Sequence, residues 1–480
     1  MQSGERARST GAPDGAERAE RAEPAFVPAD AADRLTADEA VAVVEAFEGE
    51  APGGLRVVVI GDDSGRIGAE LVERAGDRIR DVRLFNDAVT GEASCDAAIA
   101  AAIGTAGAVD VARPSIRRMP ALDAELLDGA HVVALRLPKH LAELDEIARL
   151  AASCGDPAVR LVAGGRLKHM SRGMNGVLER SFSDVRASLA RQKSRVLHAE
   201  DARRDGDGIA SASAPTPVHP AYPVVARLRE RVGEIDLDLE VAAHGGAFAG
   251  ARLDLGTREL VRALPGIARL FGPAPGTTQE NASTDLEYGD LFSHSPELCA
   301  PVPAPALTIV DLGCGTGILS VCAAHAFDGS RVIATDRSWA AVASARETAR
   351  LAGLADRVEA RREDAGAGVP DASVDLVLCN PPFHDRHELA ESMSDRLFAE
   401  AARMLRPGGL LAVVHNAHLP HRAAVSRLVG PVRELARTPK FTVIVAERRG
   451  EGPGGGRAGV PSSGERGRRA ASLRTREEVA

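Results

Sequence analysis

The stretch Thr308-Ile309-Val310-Asp311-Leu312-Gly313-Cys314-Gly315-Thr316-Gly317-Ile318 restricts the fold more than any other part of the chain. A β-branched run that ends in an acid, then glycines at alternate positions, then an apolar residue, is the pattern of a strand turning directly into a helix. The glycines accept positive φ and let a ligand lie against bare backbone. Further strand-like runs fall at 331–335, 374–378, 410–415 and 441–446, with helical patterns between the first four of these five strands, up to 410–415. That alternation predicts βαβ units and a parallel, doubly wound sheet.

The residues around the turn suggest its ligand. In a dinucleotide fold such a turn holds a pyrophosphate at the helix N-terminus. Asp311, just ahead of the glycines, would repel pyrophosphate but suits the α-ammonium of a methionine moiety, which points to S-adenosylmethionine. Asp336 follows the next strand, where an acid bonds ribose hydroxyls or else caps a helix. Asp364 opens the third loop and either accepts from the adenine amine or lies in a solvated turn. Trp339, the single tryptophan, covers the adenine or packs at a helix start. The expected cofactor set is therefore Asp311, Gly313, Gly315, Gly317, Asp336 and Asp364.

Asn380-Pro381-Pro382-Phe383 follows the apolar run 374–379 and suggests the reaction. An exocyclic amine on a base has its lone pair delocalised into the ring. Two acceptors aimed at its N–H bonds, the Asn380 side-chain oxygen and the Pro381 carbonyl, favour the pyramidal, nucleophilic nitrogen. The prolines stiffen the loop and remove competing N–H donors. Phe383 offers a face for a stacked base. No strong base is required, because a sulfonium leaves as a neutral thioether. His384, Asp385 and His387 have no matching distant cluster, so no metal is expected.

Bulk properties set the frame. The 480 residues imply two folded domains with tails. A net charge of -9 argues against non-specific coating of nucleic acid, though not against a local basic patch. The six cysteines have no paired CxxC spacing and fit reduced thiols; no apolar run spans a bilayer and residues 1–25 lack a signal-type core, so a soluble, cytoplasmic protein is expected. Residues 1–37 read as a disordered tail, 38–200 as a first domain, 201–223 as a proline-rich linker, 224–448 as a second domain and 449–480 as a Gly/Arg-rich disordered tail. Residues 272–290 read as a surface insertion.

The two domains repeat. VVALRLPKHL (132–141) lies over LVLCNPPFHD (376–385), with Arg136 in place of Asn380 and Lys139 in place of Phe383. VIGDDSGRIG (59–68) lies ungapped over IVDLGCGTGI (309–318), which sets Gly61 against Asp311, Asp63 against Gly313 and Ile67 against Gly317. Residues 161–165 echo 410–414. The expectation is a duplication in which only the second copy keeps its chemistry.

The second domain resembles the class I S-adenosylmethionine methyltransferases and, more narrowly, the RlmG/RsmC group of ribosomal RNA guanine-N2 methyltransferases. The likeness rests on Leu253-Asp254-Leu255-Gly256-Thr257-Arg258, the glycine turn, Val377 to His384, Lys440-Phe441, and the degenerate N-terminal copy. It covers residues 38–200 and 224–448. It implies an α/β fold of two tandem Rossmann-like methyltransferase domains, the second catalytic through Asn380, Pro381, Pro382 and Phe383. It also implies guanine N2 of 23S rRNA as target, naked or in an assembly intermediate. It places Arg258 near the cofactor or target base, unless that residue is a plain surface arginine. Phe248-Ala249-Gly250-Ala251-Arg252 departs from the family's usual Phe-Ser-Arg. The four lysines, Lys139, Lys168, Lys193 and Lys440, are candidate RNA contacts, the first three within an N-terminal copy that would grip phosphates. The alternatives are 16S rRNA as substrate, an adenine-N6 or protein glutamine methyltransferase, or a non-catalytic RNA-binding assembly factor.

Overall fold

The computed structural model describes residues 27–49, 51–105, 113–204, 221–233, 235–272, 306–382 and 387–450. Residues 273–290 of the insertion, Phe383, residues 1–26 and 451–480 of the two tails, and residues 205–220 of the linker lie outside these residues. Two seven-stranded sheets dominate. The first comprises β1 (Leu55–Ile60), β2 (Ile79–Phe85), β3 (Ser115–Arg118), β4 (Val132–Arg136), β5 (Arg160–Arg166), β6 (Phe182–Ala187) and β7 (Ser194–Ala202). After the hairpin β8 (Val224–Val232) and β9 (Ile235–Ala243), the second comprises β10 (Thr308–Leu312), β11 (Arg331–Asp336), β12 (Val358–Arg362), β13 (Val374–Cys379), β14 (Leu405–Asn416), β15 (Val432–Arg437) and β16 (Phe441–Glu447).

The strand orders are identical: β3-β2-β1-β4-β5-β7-β6 and β12-β11-β10-β13-β14-β16-β15. In each sheet five strands run parallel, and the last two are antiparallel additions. The expected all-parallel sheet is therefore mixed at one edge, where hairpin strands need no crossover helix. The apolar runs become central strands because helices cover both faces. In the second sheet, Ile309, Leu376 and Leu378 pack toward one core with helices Leu255–Ala268 and Ile318–Ala326, while Val310, Val377 and Cys379 pack toward the other with Phe398 and Met404.

Residues 27–37, read as part of a disordered tail, instead hold the start of helix Ala31–Glu45. Asp30 caps it, accepting from the backbone N–H groups of Ala32 and Asp33. Its buried face is Ala32, Leu35, Thr36, Ala37, Ala40, Val41, Val43 and Val44. Three alanines and a threonine dilute the first half of that stripe, which contrasts little with its surroundings, so hydropathy alone does not mark the start of the helix.

The register corrects the internal alignment. Val57–Ile60 pair with Val132–Leu135, as Ile309–Leu312 pair with Leu376–Cys379. Arg136 thus does replace Asn380, but Gly61 matches Gly313, Asp63 matches Gly315 and Gly65 matches Gly317. The ungapped match was displaced by two residues, a shift that preserves the in-out alternation of a strand and is invisible to pattern. Residues 161–165 likewise match 411–415, one later than expected, because a strand buried on both faces offers no alternation to read.

The copies dock through their loops. Trp339 N–H donates to the Asp87 carbonyl (2.8 Å) and Ala340 N–H to Asp87 Oδ1 (2.9 Å), so the first copy caps a helix of the second. The Trp339 indole stands edge-on to Phe85 with ring centroids 5.6 Å apart, against the first copy's core. It is an anchor between the copies and does not reach the cofactor turn's cavity. Arg362 donates to the Asn86 and Asp87 carbonyls and pairs with Glu92 at 2.7 Å. Gly245 N–H donates to Glu146 Oε2 (2.7 Å).

Candidate active site between the two copies

The carboxyl ends of the parallel strands of both sheets face one another across a cavity of about 750 Å³. Ligands in open α/β sheets bind at such ends. The second copy contributes Gly313, Gly315, Asp336, Asn380 and Pro381; the first contributes Gly61, Asp63, Arg136 and Lys139.

The glycine turn is built for close approach. A Cβ added to Gly313 or Gly315 would meet nothing within 4 Å, so bare backbone faces open space. Gly317 is set by the fold: its φ is +79°, and an added Cβ would lie 2.8 Å from Ala345 Cα. Gly317→Ala is expected to destabilise the protein by about 1–3 kcal/mol and to weaken adenosylmethionine binding. Calorimetric titration and thermal unfolding check both.

Asp336 accepts from Gly315 N–H (3.2 Å) and Ser338 N–H (3.0 Å) while lining the cavity. It braces the turn; the helix cap proper is Ser338, whose hydroxyl accepts from Ala341 N–H. Burial raises the Asp336 carboxyl above its usual range. Asp364 also lines the cavity, paired with Arg396.

Asp311 is not among the described residues that line the cavity. It is 1% exposed and receives the Ser320 hydroxyl at 2.5 Å from helix Ile318–Ala326. Strand alternation turns it to the helix-packed face, as with Ile309. Burial pushes its pKa up to about 7. The unfolded chain releases this proton near pH 4 and the folded protein only near pH 7, so stability falls as pH rises through that window. Asp311→Asn is expected to flatten that part of a plot of Tm against pH.

Asn380 follows Cys379, which pairs with Leu312, so the acceptor motif and the glycine turn leave adjacent strands side by side. The Asn380 amide donates to Asp254 Oδ1 (3.2 Å) and Thr257 Oγ1 (3.1 Å). Because the carboxylate only accepts, the amide nitrogen must face it. Asn380 Oδ1 is left buried with no hydrogen-bond partner among the described residues. Asp254 also caps helix Leu255–Ala268 through the N–H groups of Gly256 and Thr257. Pro381 is buried and Pro382 exposed. Asp254, Gly256 and Thr257 thus support the site. Sequence reasoning saw them only as family-like residues; the cap signature before the helix was the available signal.

The first copy keeps the framework and changes the chemistry. Asp30, its helix cap, holds Arg136 at 2.8 and 2.9 Å, as Asp254 holds Asn380. Asp63 fills the place of the middle glycine and accepts from Asn86 (2.9 Å), which Arg118 holds from the other side. A side-chain network occupies the crevice where the second copy leaves space.

The remaining candidates are dispersed. Lys139 lines the cavity. Lys168 and Lys193 are exposed, and their segments are joined by Leu167 N–H to the Lys193 carbonyl (2.9 Å), next to cavity-lining His169. Lys440 is exposed at another loop, its amine 5.3 Å from the Phe441 ring centre. Arg258 pairs with Glu230 and is not among the described residues that line the cavity. Among the described residues no group of three or more His, Cys, Asp or Glu could hold a metal, and no helix is long and apolar enough to cross a membrane.

Comparison with known proteins agrees with this architecture. The family profile described as methyltransferase small domain matches residues 297–445, and that described as RLMG N-terminal domain matches residues 18–203. The chain is 35% identical to ribosomal RNA large subunit methyltransferase G of Streptomyces coelicolor over 66% of this chain and 72% of that protein. It is 34% identical to the protein of the same name from Pseudomonas aeruginosa strain PAO1, over 69% and 74%. A solved structure of the Thermus thermophilus 16S rRNA N2 G1207 methyltransferase, in complex with AdoMet and guanosine, aligns over 88% of this chain and 92% of that one with a TM-score of 0.60 and 18% identity, a likeness of fold.

Proposed function

Since the chain belongs to the ribosomal RNA large subunit methyltransferase G family, we propose that it methylates the exocyclic N2 of a guanine in 23S rRNA, with Asn380 and the Pro381 carbonyl as the orienting acceptors. Its cofactor is S-adenosylmethionine, which supplies an electrophilic methyl on a sulfonium. Gly313, Gly315 and Asp336 would hold that cofactor.

The observation that carries the reading is Asn380 Oδ1: buried, without a hydrogen-bond partner among the described residues, and on an amide fixed by Asp254 and Thr257 beside the glycine turn. An orphaned buried acceptor costs stability and persists where a ligand completes it. A target amine supplies the missing donors, and two acceptors on it direct its lone pair away from the ring. Alignment of the nitrogen then provides most of the acceleration. The test is nucleoside mass spectrometry of rRNA from cells with and without the gene. Loss of one N2-methylguanosine from the large-subunit rRNA is expected. Loss from 16S rRNA instead, or of an N6-methyladenosine, would reject it.

The first copy serves RNA binding in this reading. Lys168 and Lys193 form an exposed basic rim beside the cavity. The double substitution Lys168→Glu with Lys193→Glu is expected to weaken RNA affinity and lower the salt slope, each neutralised phosphate contact contributing about 0.7–0.9 to it, while adenosylmethionine affinity stays constant. Filter binding across a salt series measures this.

A further inference from the structure

The segment joining hairpin β8–β9 to Asp254 borders the cavity with Gly246, Phe248, Ala249 and Arg252. Phe248 is 51% exposed, and among the described exposed large apolar side chains it is the one aromatic, in a chain where aromatics are 3% of residues. Its backbone is held in place. Ala247 N–H donates to the His244 carbonyl (3.0 Å), Gly250 N–H to Ala247 (3.2 Å) and Arg252 N–H to Gly250 (2.7 Å). Ala249 has φ +63°, the left-handed region that alanine rarely adopts. His244 N–H donates to Ser344 Oγ (2.9 Å) in the second copy, and Gly245 N–H to Glu146 in the first. A tight turn clamped to both copies therefore presents a ring at the rim of the cavity, with exposed Arg252 close by in the chain.

We infer that Phe248 stacks on the base adjacent to the target nucleotide and that Arg252 contacts the phosphate of that neighbour; the inference rests on the RNA substrate proposed above. The target amine must reach Asn380 Oδ1, which is buried, whereas Phe248 is half open at the rim, so the two serve different bases. Stacking on an aromatic face tolerates any base, and a guanidinium beside it neutralises the backbone. The sequence departure at 248–252 keeps the ring and moves the arginine.

The test uses the full chain, fluorescence anisotropy and two short fluorescein-labelled single-stranded oligoribonucleotides, each with one guanine, one of them abasic at the neighbouring positions. Phe248→Ala is expected to weaken binding of the intact oligonucleotide by about 5- to 150-fold, from the usual worth of one stacked base. Phe248→Trp restores it, and the abasic oligonucleotide binds wild type and Phe248→Ala with the same reduced affinity. Adenosylmethionine affinity stays constant, which also reports intact folding. Arg252→Gln lowers the salt slope by about 0.7. Unchanged binding by Phe248→Ala, an equal loss on the abasic oligonucleotide, or no binding by wild type overturns the stacking; an unchanged slope overturns the phosphate contact. Failure of the proposed function is read separately, as RNA binding without N2-methylguanosine in the mass spectra.

Discussion

Asn380→Ala loses about 10²–10³-fold in turnover, the usual cost of deleting one preorganised polar contact to the reacting group, while adenosylmethionine still binds. The substitution removes the buried Oδ1 and with it one of two acceptors that orient the target nitrogen. Nothing in the glycine turn depends on the Asn380 side chain: Gly313 N–H is held by Thr335 and Gly315 N–H by Asp336. Cofactor affinity and catalysis therefore separate. Single-turnover methylation of an rRNA fragment, with calorimetric titration of the cofactor, measures both. Turnover near wild type would remove Asn380 from the reaction.

Gly256→Ala inactivates without unfolding. Gly256 lies in the first turn of helix Leu255–Ala268, where alanine is the better helix former by about 1 kcal/mol. Its missing Cβ leaves room for Asn380: an added methyl would lie 2.5 Å from Oδ1 and 3.1 Å from Cγ and Nδ2. The amide must swing out, breaking its bonds to Asp254 and Thr257. Misplacing a positioning group by about 1 Å costs on the order of 10²-fold in rate. Methylation assays beside thermal unfolding show whether activity falls while Tm holds. If both fall together, Gly256 has a general packing role and the amide is not the element displaced.

Much of this site was legible in the chain and some was not. The glycine turn and Asn380-Pro381-Pro382 were visible because their chemistry is local, a bare backbone and a stiff loop within a few residues. Asp254 and Thr257 are 126 and 123 residues from Asn380, so their hold on its amide could not be read as spacing. Asp311 looked like a ligand contact because acid before glycine fits an ammonium; which face of a central strand it took depended on the packing of helix Ile318–Ala326. Trp339 looked equally ready to cover a nucleoside or to pack, and the first copy settled that by offering Phe85.

Alternating strands and helices, the glycine bend and the echo of one half in the other are written in residue order, since they follow from backbone propensity and hydrophobic period. That Arg136 stands where Asn380 does was readable too. Only the folded molecule decided that the carboxyl ends of the two sheets face a common cavity, that an aspartate capping a distant helix aims the amide, and that Arg362 reaches across to the other copy. These depend on long-range docking, where many weak contacts are summed and no short segment carries the answer.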